Sequence, residues 1–369
     1  MKLAKYPTGC LRDSRFQEIF YFKDKIITFV VMIFLRYILY PIVPIYYLVT
    51  WLRNKLYDLG IKKSISHKTP VICVGNLSVG GTGKTPMIEY LIHLLKEDYL
   101  VATLSRGYKR KTKGFQLANK DATAESIGDE PFQFYNKFKK NILVAVDGDR
   151  NNGIKQLQLI DNLPEVILLD DAFQHRKVKA GFNILLTTYS NPYFKDIVLP
   201  TGNLREPRSG SKRANIIMVT KCPKDLSDAE KNTILQKINP ETNQHVFFSS
   251  ISYSNSVISS NTNKPIDDLN DFTLVTGIAN AFPLVSFLKE KGLKFDHLNF
   301  KDHHEFSEQD ILELNKRDLI VTTEKDFMRL KQYKSLRDKL FYLPISIVIN
   351  DEVKINKLII DFLMHNAGL

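Results

Sequence analysis

Short apolar runs recur along the chain and alternate with stretches in which apolar residues return every third or fourth position. The runs VICV (71–74), VATLS (101–105), NILVAV (141–146), VILLDD (166–171), NILLTT (183–188) and NIIMVTK (215–221) read as strands. Between the first two lies MIEYLIHLL (87–95), whose apolar positions have helical spacing. Strands alternating with helices predict a mainly parallel sheet with helices on both faces. From 223 to 270 the chain turns polar, with CPKDLSDAEKN and SNSVISSNTNK, and reads as a connection between lobes. Beyond it, DFTLVTGIANAFPLVSFLKEKG, LIVTTEKDFMRL and LFYLPISIVI predict a smaller α/β lobe. The expected organisation is an N-terminal segment (1–68), a nucleotide-binding core (69–222), the connection (223–270) and the smaller lobe (271–369).

One apolar stretch differs from the rest. Residues 26–52, IITFVVMIFLRYILYPIVPIYYLVTWL, are long enough to span a bilayer, yet Arg36 sits inside them and Pro41 and Pro44 interrupt the helix. Both flanks are basic: Lys23 and Lys25 precede, and Arg53, Lys55, Lys62 and Lys63 follow, so charge asymmetry sets no orientation. With Tyr46, Tyr47 and Trp51 near its far end, the segment suits a helix lying in the interface of an anionic leaflet. A true span and a helix buried in the protein are the other two readings. A cleaved secretory signal does not fit, because the apolar region begins late and no small-residue cleavage site follows.

Charge reinforces that picture. The first 70 residues hold 12 Lys+Arg against 4 Asp+Glu, so +8 of the formal +12 lies around the apolar segment. A nucleic-acid binder carries its basic excess on the domain that reads the phosphates, and no such reading motif is present. A composition 44% apolar and 25% charged excludes a disordered chain. Cys10, Cys73 and Cys222 are far apart with no C-x-x-C, which argues against a disulfide framework and a zinc site.

The strongest chemical signal is residues 74–86, VGNLSVGGTGKTP, directly after the first predicted strand and before the predicted helix. A glycine-rich turn ending in Gly-Lys-Thr presents backbone N–H groups and a helix N-terminus to phosphate oxygens. Gly80, Gly81, Thr82 and Gly83 would cradle a nucleoside triphosphate, Lys84 would add a point charge, and Thr85 would ligate Mg²⁺. Ser78 stands where the usual pattern has glycine.

Other candidates cluster at the carboxyl ends of the predicted strands, the ligand side of a parallel sheet. The strand VILLDD ends in Asp170 and Asp171; they face opposite ways on an extended strand, so only one is expected to meet the metal directly. His175 follows, as an orienter, a supporting group or a packed imidazole. Arg106 and Arg150 close two further strands, and Arg205 and Glu206 stand in the turn-rich LPTGNLREPRSG (199–210), read as exposed. Asp129, in IGDEPFQF, is expected to cap a helix beginning at Pro131. In KDHHEF the adjacent His303 and His304 precede a helix capped by Ser307, and a base made from one of them with a distant Asp is more economical than a two-His metal site.

Taken together, VGNLSVGGTGKTP, SRGY, GDEP, DDAFQH, GNLREP, TGIAN, DHH and TEKD, in that order, closely resemble the tetraacyldisaccharide 4'-kinases, the lipid A 4'-kinases. The resemblance covers nearly the whole chain and implies ATP-dependent phosphorylation of the 4'-hydroxyl of an acylated glucosamine disaccharide 1-phosphate at the cytoplasmic face of a Gram-negative inner membrane. It implies Lys84 on the β- and γ-phosphates, and Thr85 with Asp170 or Asp171, and Glu206, on Mg²⁺. Asp129 with His303 is implied as the general base, Lys84 and Asp171 as further catalytic groups, and Asn76, Arg106, Arg150, His175 and Arg205 as substrate contacts. No protein partner and no nucleic acid is implied. Two rivals stand beside it: a P-loop ATPase or ligase acting on a soluble biosynthetic substrate, and a non-catalytic membrane-bound nucleotide sensor.

Overall fold

The computed structural model describes residues 36–302 and 304–366. Its centre is a nine-stranded sheet. Strand β1 (Val71–Asn76) lies between β5 (Val166–Asp170) and β6 (Phe182–Thr188), parallel to both. β2 (Val101–Ser105) and β4 (Ile142–Val146) extend the sheet beyond β5, and β7 (Ile216–Thr220) and β8 (His245–Tyr253) extend it beyond β6, each parallel to the strand it is added to. The short β3 (Gln116–Leu117) closes the β4 edge in the antiparallel sense. Each central strand is buried on both faces, which is why its sequence is a continuous apolar run and not an alternation. One face packs around Leu104, Leu169, Leu185 and Val219, the other around Ile72, Val74, Leu91 and Ile184. The mixed α/β fold expected from the alternation is present, and all carboxyl ends of the parallel strands open on one edge.

Helix α1 (Val43–Asp58) crosses that edge and is amphipathic in an unusual sense. Towards the protein it sends Val43 and Tyr46, which pack on the core, and Asn54, which is buried. Outward it shows Ile45, Leu48, Val49 and Leu52, each at least 50% exposed. Among the described residues no helix is long and apolar enough to cross a membrane; residues 1–35, including the first part of the apolar stretch, lie outside them.

The second sheet has six strands, in the order β10 (Asn263–Pro265), β9 (Ser256–Ile258), β14 (Leu340–Tyr342), β13 (Ile320–Thr322), β11 (Phe272–Thr276) and β12 (Phe295–Asn299). Two features complicate the expected division. The stretch 223–270, expected as a connection, gives β8 to the first sheet and β9 and β10 to the second. From 345 onward the chain returns to the larger lobe: β15 (Ile345–Ile349) pairs antiparallel with β8, and Ile349, Ile355, Ile359 and Leu363 join the core around β1. β8 escapes a composition reading because it lies near the sheet edge and several of its residues are only half-buried.

Candidate active site

The phosphate-binding loop leaves β1 at Asn76 and enters helix α2 (Lys84–Leu95). Its first part is extended and pinned: Ser78 bridges Leu204, and Val79 N donates to Asn203 O at 2.8 Å. Ser78 therefore occupies a stretch that needs no left-handed backbone. That requirement falls on Gly80 and Gly83, with φ of 109° and 88°. On the β7 side, Thr220 Oγ1 donates to Thr82 O at 2.8 Å and Lys221 Nζ to Gly81 O at 2.7 Å. The N–H groups of Gly83 and Thr82, trans to those carbonyls across their peptide planes, consequently point away from β7. Buried Asn76 braces the loop from below, its Nδ2 donating to Thr82 Oγ1 at 2.8 Å.

Register brings the two carboxylates to this loop, since Val74 of β1 is opposite Asp170 of β5. Asp171 turns out of the strand with φ 50° and its N donates to Val74 O at 3.0 Å. Its carboxylate accepts from Arg205 Nη1 at 2.8 Å and lies 3.6 Å from Lys84 Nζ. Burial alone would raise its pKa; Lys84 and Arg205 outweigh that and hold the carboxyl below the usual carboxylate range. Asp170 behaves oppositely. It is 7% exposed, its Oδ1 is buried without a hydrogen-bond partner, and burial, against the pull of Lys84, pushes it up to about 7, helped by the charges of Asp171 and Glu130.

An orphaned buried carboxylate oxygen beside a phosphate loop is what a divalent cation would complete. Thr85 lies in the first turn of α2, directly after Lys84, and carries a hydroxyl that could serve as a further ligand. Among the described residues no group of three or more His, Cys, Asp or Glu is gathered, so any Mg²⁺ here would depend on nucleotide oxygens and water for its remaining ligands. Glu206 does not share this position. It is 1% exposed, and its oxygens accept from Asn54 Nδ2 at 2.5 Å, Gln174 Nε2 at 3.0 Å and Arg213 Nη2 at 2.8 Å. Held by those three donors, it brackets α1 to the core, and among the described residues it forms no metal-binding cluster with Asp170 and Asp171, which corrects its reading as a metal ligand.

The remaining sequence candidates separate. Arg205 reaches the site, through Asp171. Arg106 stands exposed after β2. Arg150 is 3% exposed and its Nη1 donates to Asp147 O at 2.8 Å, which makes it a fixed positive charge behind the carboxylates instead of an open contact. His175 lies 3.9 Å from Asp149 Oδ1, and burial, with Arg150 nearby, lowers its pKa and so favours the neutral imidazole.

Asp129 is the first residue of helix α3 (Asp129–Phe138), not its cap; Gly128 precedes it at φ 94°, a conformation a side chain would resist. The helix thus starts two residues earlier than the proline suggested. Asp129 pairs with Arg329 of α4 (Glu324–Leu330) in the smaller lobe. Lobe closure is not needed to join these elements: α3 and α4 are already in contact through Lys137, which bonds Glu89 at 2.8 Å and Glu324 at 3.0 Å. His304 Nε2 lies 2.9 Å from Asp310 Oδ2 and its ring stacks on Phe300, so it belongs to the Ser307 capping box. His303 lies outside the described residues.

Sequence reasoning missed Gln174, which bonds Asn76 O at 2.8 Å, and the roles of Thr220, Lys221 and Arg329. Thr220 and Lys221 had a usable signal, since they end a strand on the ligand side.

With this geometry in view, comparison with known proteins is decisive. A family model described as tetraacyldisaccharide-1-P 4'-kinase matches residues 35–363. The chain belongs to the tetraacyldisaccharide 4'-kinase family. It is 52% identical to the tetraacyldisaccharide 4'-kinase of Flavobacterium psychrophilum, over 90% of this chain and 98% of that one. The Flavobacterium johnsoniae 4'-kinase is 50% identical with the same coverage. Among solved structures, LpxK from Aquifex aeolicus in complex with ATP resembles it with a TM-score of 0.72 and 32% identity, covering 89% of this chain and 99% of that one.

Proposed function

We propose that this 4'-kinase family member transfers the γ-phosphoryl group of ATP to the 4'-hydroxyl of a tetraacylated glucosamine disaccharide 1-phosphate. The observation that carries the reading is the convergence, on one sheet edge, of the phosphate loop, the Lys84–Asp171–Arg205 cluster and a helix whose apolar face is turned outward. Loop N–H groups and Lys84 hold the β- and γ-phosphates; Asp171 keeps Lys84 and Arg205 aimed at them. Thr85 and Asp170 hold Mg²⁺, which when bound neutralises charge developing on the phosphate oxygens. Asp129 with His303 receives the proton of the sugar hydroxyl as the new P–O bond forms. Arg106, at the open edge, is left for the acceptor, whereas Asn76, Arg150 and His175 support the site from behind.

Helix α1 gives the acceptor its location. Ile45, Leu48, Val49 and Leu52 enter the interface of an anionic leaflet on the cytoplasmic side, Lys55, Lys62 and Lys63 meet its headgroups, and Asn54 with Glu206 fixes the active site at that depth. The association is peripheral or monotopic. In mixed micelles with γ-labelled ATP, label is expected in the acylated disaccharide 1-phosphate and not in a soluble deacylated disaccharide; equal labelling of both would overturn the lipid assignment.

The state of Asp170 has a pH signature. Its pKa is raised from 3.8 to about 7 in the folded chain, so stability from this group is complete below the unfolded value and is lost as pH rises through about 7. Without metal, Asp170→Asn should therefore melt above wild type by a margin that grows between pH 5 and pH 8. MgATP should narrow the gap by stabilising the wild type more than the variant. A margin independent of pH would show that the carboxyl titrates normally.

A further inference from the structure

Asp129 and His304 lie in different lobes, and one side chain ties their segments together. Arg329, near the end of α4, has a side chain 13% exposed. Its Nη2 donates to Asp129 Oδ2, and its Nη1 donates to the carbonyl of His304 at 3.4 Å. From behind, Nη1 is 3.8 Å from Asp326 Oδ1. Asp326 is itself immobile: it is 0% exposed, and its Oδ2 accepts from Gly277 N and from Thr323 Oγ1, each at 2.8 Å. A planar guanidinium backed in this way presents its donors in one fixed direction, which the flexible ammonium of lysine does not do.

The alternative role, a strut between lobes, is already filled. Lys137 joins Glu89 of α2 to Glu324 of α4, and Lys331 Nζ donates to Asn136 Oδ1 at 2.6 Å, so the helices remain docked without Arg329. What Arg329 adds is contact with both the Asp129 carboxylate and the backbone carbonyl of His304. We propose that Arg329 is a positioning residue for phosphoryl transfer: it orients Asp129 and registers the histidine segment against it across the lobe boundary. This rests on the reading of Asp129 and His303 as the proton-accepting pair.

Four full-length proteins, wild type, Arg329→Ala, Arg329→Lys and Asp129→Asn, together with the double variant Asp129→Asn/Arg329→Ala, test the assignment with MgATP and the lipid acceptor in mixed micelles. Arg329→Ala should lose about 10²-fold in kcat, the scale of an ångström of misplacement, while its KM for ATP stays within about twofold. Arg329→Lys should recover only part of the loss, and added guanidinium ion should raise the turnover of Arg329→Ala but not of Asp129→Asn. In the Asp129→Asn background, removing Arg329 should cost less than about twofold more. Wild-type kcat in either single Arg329 variant, or the full loss persisting in the double variant, would overturn the proposal. Should Arg329→Ala fail to melt cooperatively, the lysine variant and its double with Asp129→Asn decide. Wild-type turnover in Asp129→Asn would instead sink the underlying base assignment.

Discussion

Lys84→Ala is expected to lower kcat/KM for MgATP by about 10³-fold, or ~4 kcal/mol of transition-state stabilisation, with the fold intact. Lys84 sits at 17% side-chain exposure, 3.6 Å from Asp171, inside a cluster that Arg205 completes. Electrostatic groups of this kind act on charge that grows at the transferring phosphoryl, so the loss should fall mainly on kcat. Steady-state kinetics separates the alternatives: an increase in KM alone, with kcat unchanged, would make Lys84 a ground-state anchor. Melting should change little, because the ion pair lost is partly solvated.

Asp129→Asn should reduce kcat by about 10²- to 10³-fold, within the usual range for general acid–base catalysis, and leave ATP binding near normal. The amide keeps the shape of the carboxylate but not the charge that, in the proposed pair, would favour a protonated His303. Isothermal titration with a non-hydrolysable ATP analogue and single-turnover phosphorylation measure the two effects separately. A parallel loss of nucleotide affinity would move Asp129 from the proton to the phosphates. His304→Ala should behave differently, as a loss of stability, since Phe300, Phe306 and Asp310 fix that ring.

The parts of the site written in backbone chemistry were legible in the sequence. A loop needing positive φ at Gly80 and Gly83, then a helix opening with Lys84 and Thr85, leaves a local pattern. Asp170 and Asp171 were legible because two carboxylates at the end of a buried apolar run are costly to desolvate unless cations meet them there. Long-range partners left no such trace. Arg329 meets Asp129 across 200 positions, and nothing beside either residue announces the other. Glu206 misled for a related reason: prolines and glycines around it suggest exposure, but α1 covers it and buries Asn54 against it. The same helix hid its orientation, since the inward Tyr46 and Asn54 lie inside or just beyond an apolar run whose outward members are equally apolar. The second lobe was visible as a set of elements, whereas the return of β15 and α5 (Glu352–Asn366) to the first sheet depends on tertiary pairing with the half-buried β8.

Position-resolved analysis of the phosphorylated product is the most direct measurement of the central claim. With γ-labelled ATP, Mg²⁺ and tetraacylated disaccharide 1-phosphate, phosphorus and proton NMR of the purified lipid should show a single new phosphomonoester at the 4' position, formed by wild type about 10³-fold faster than by Lys84→Ala. A lipid recovered unchanged while ATP is hydrolysed, or label at another hydroxyl, would contradict it.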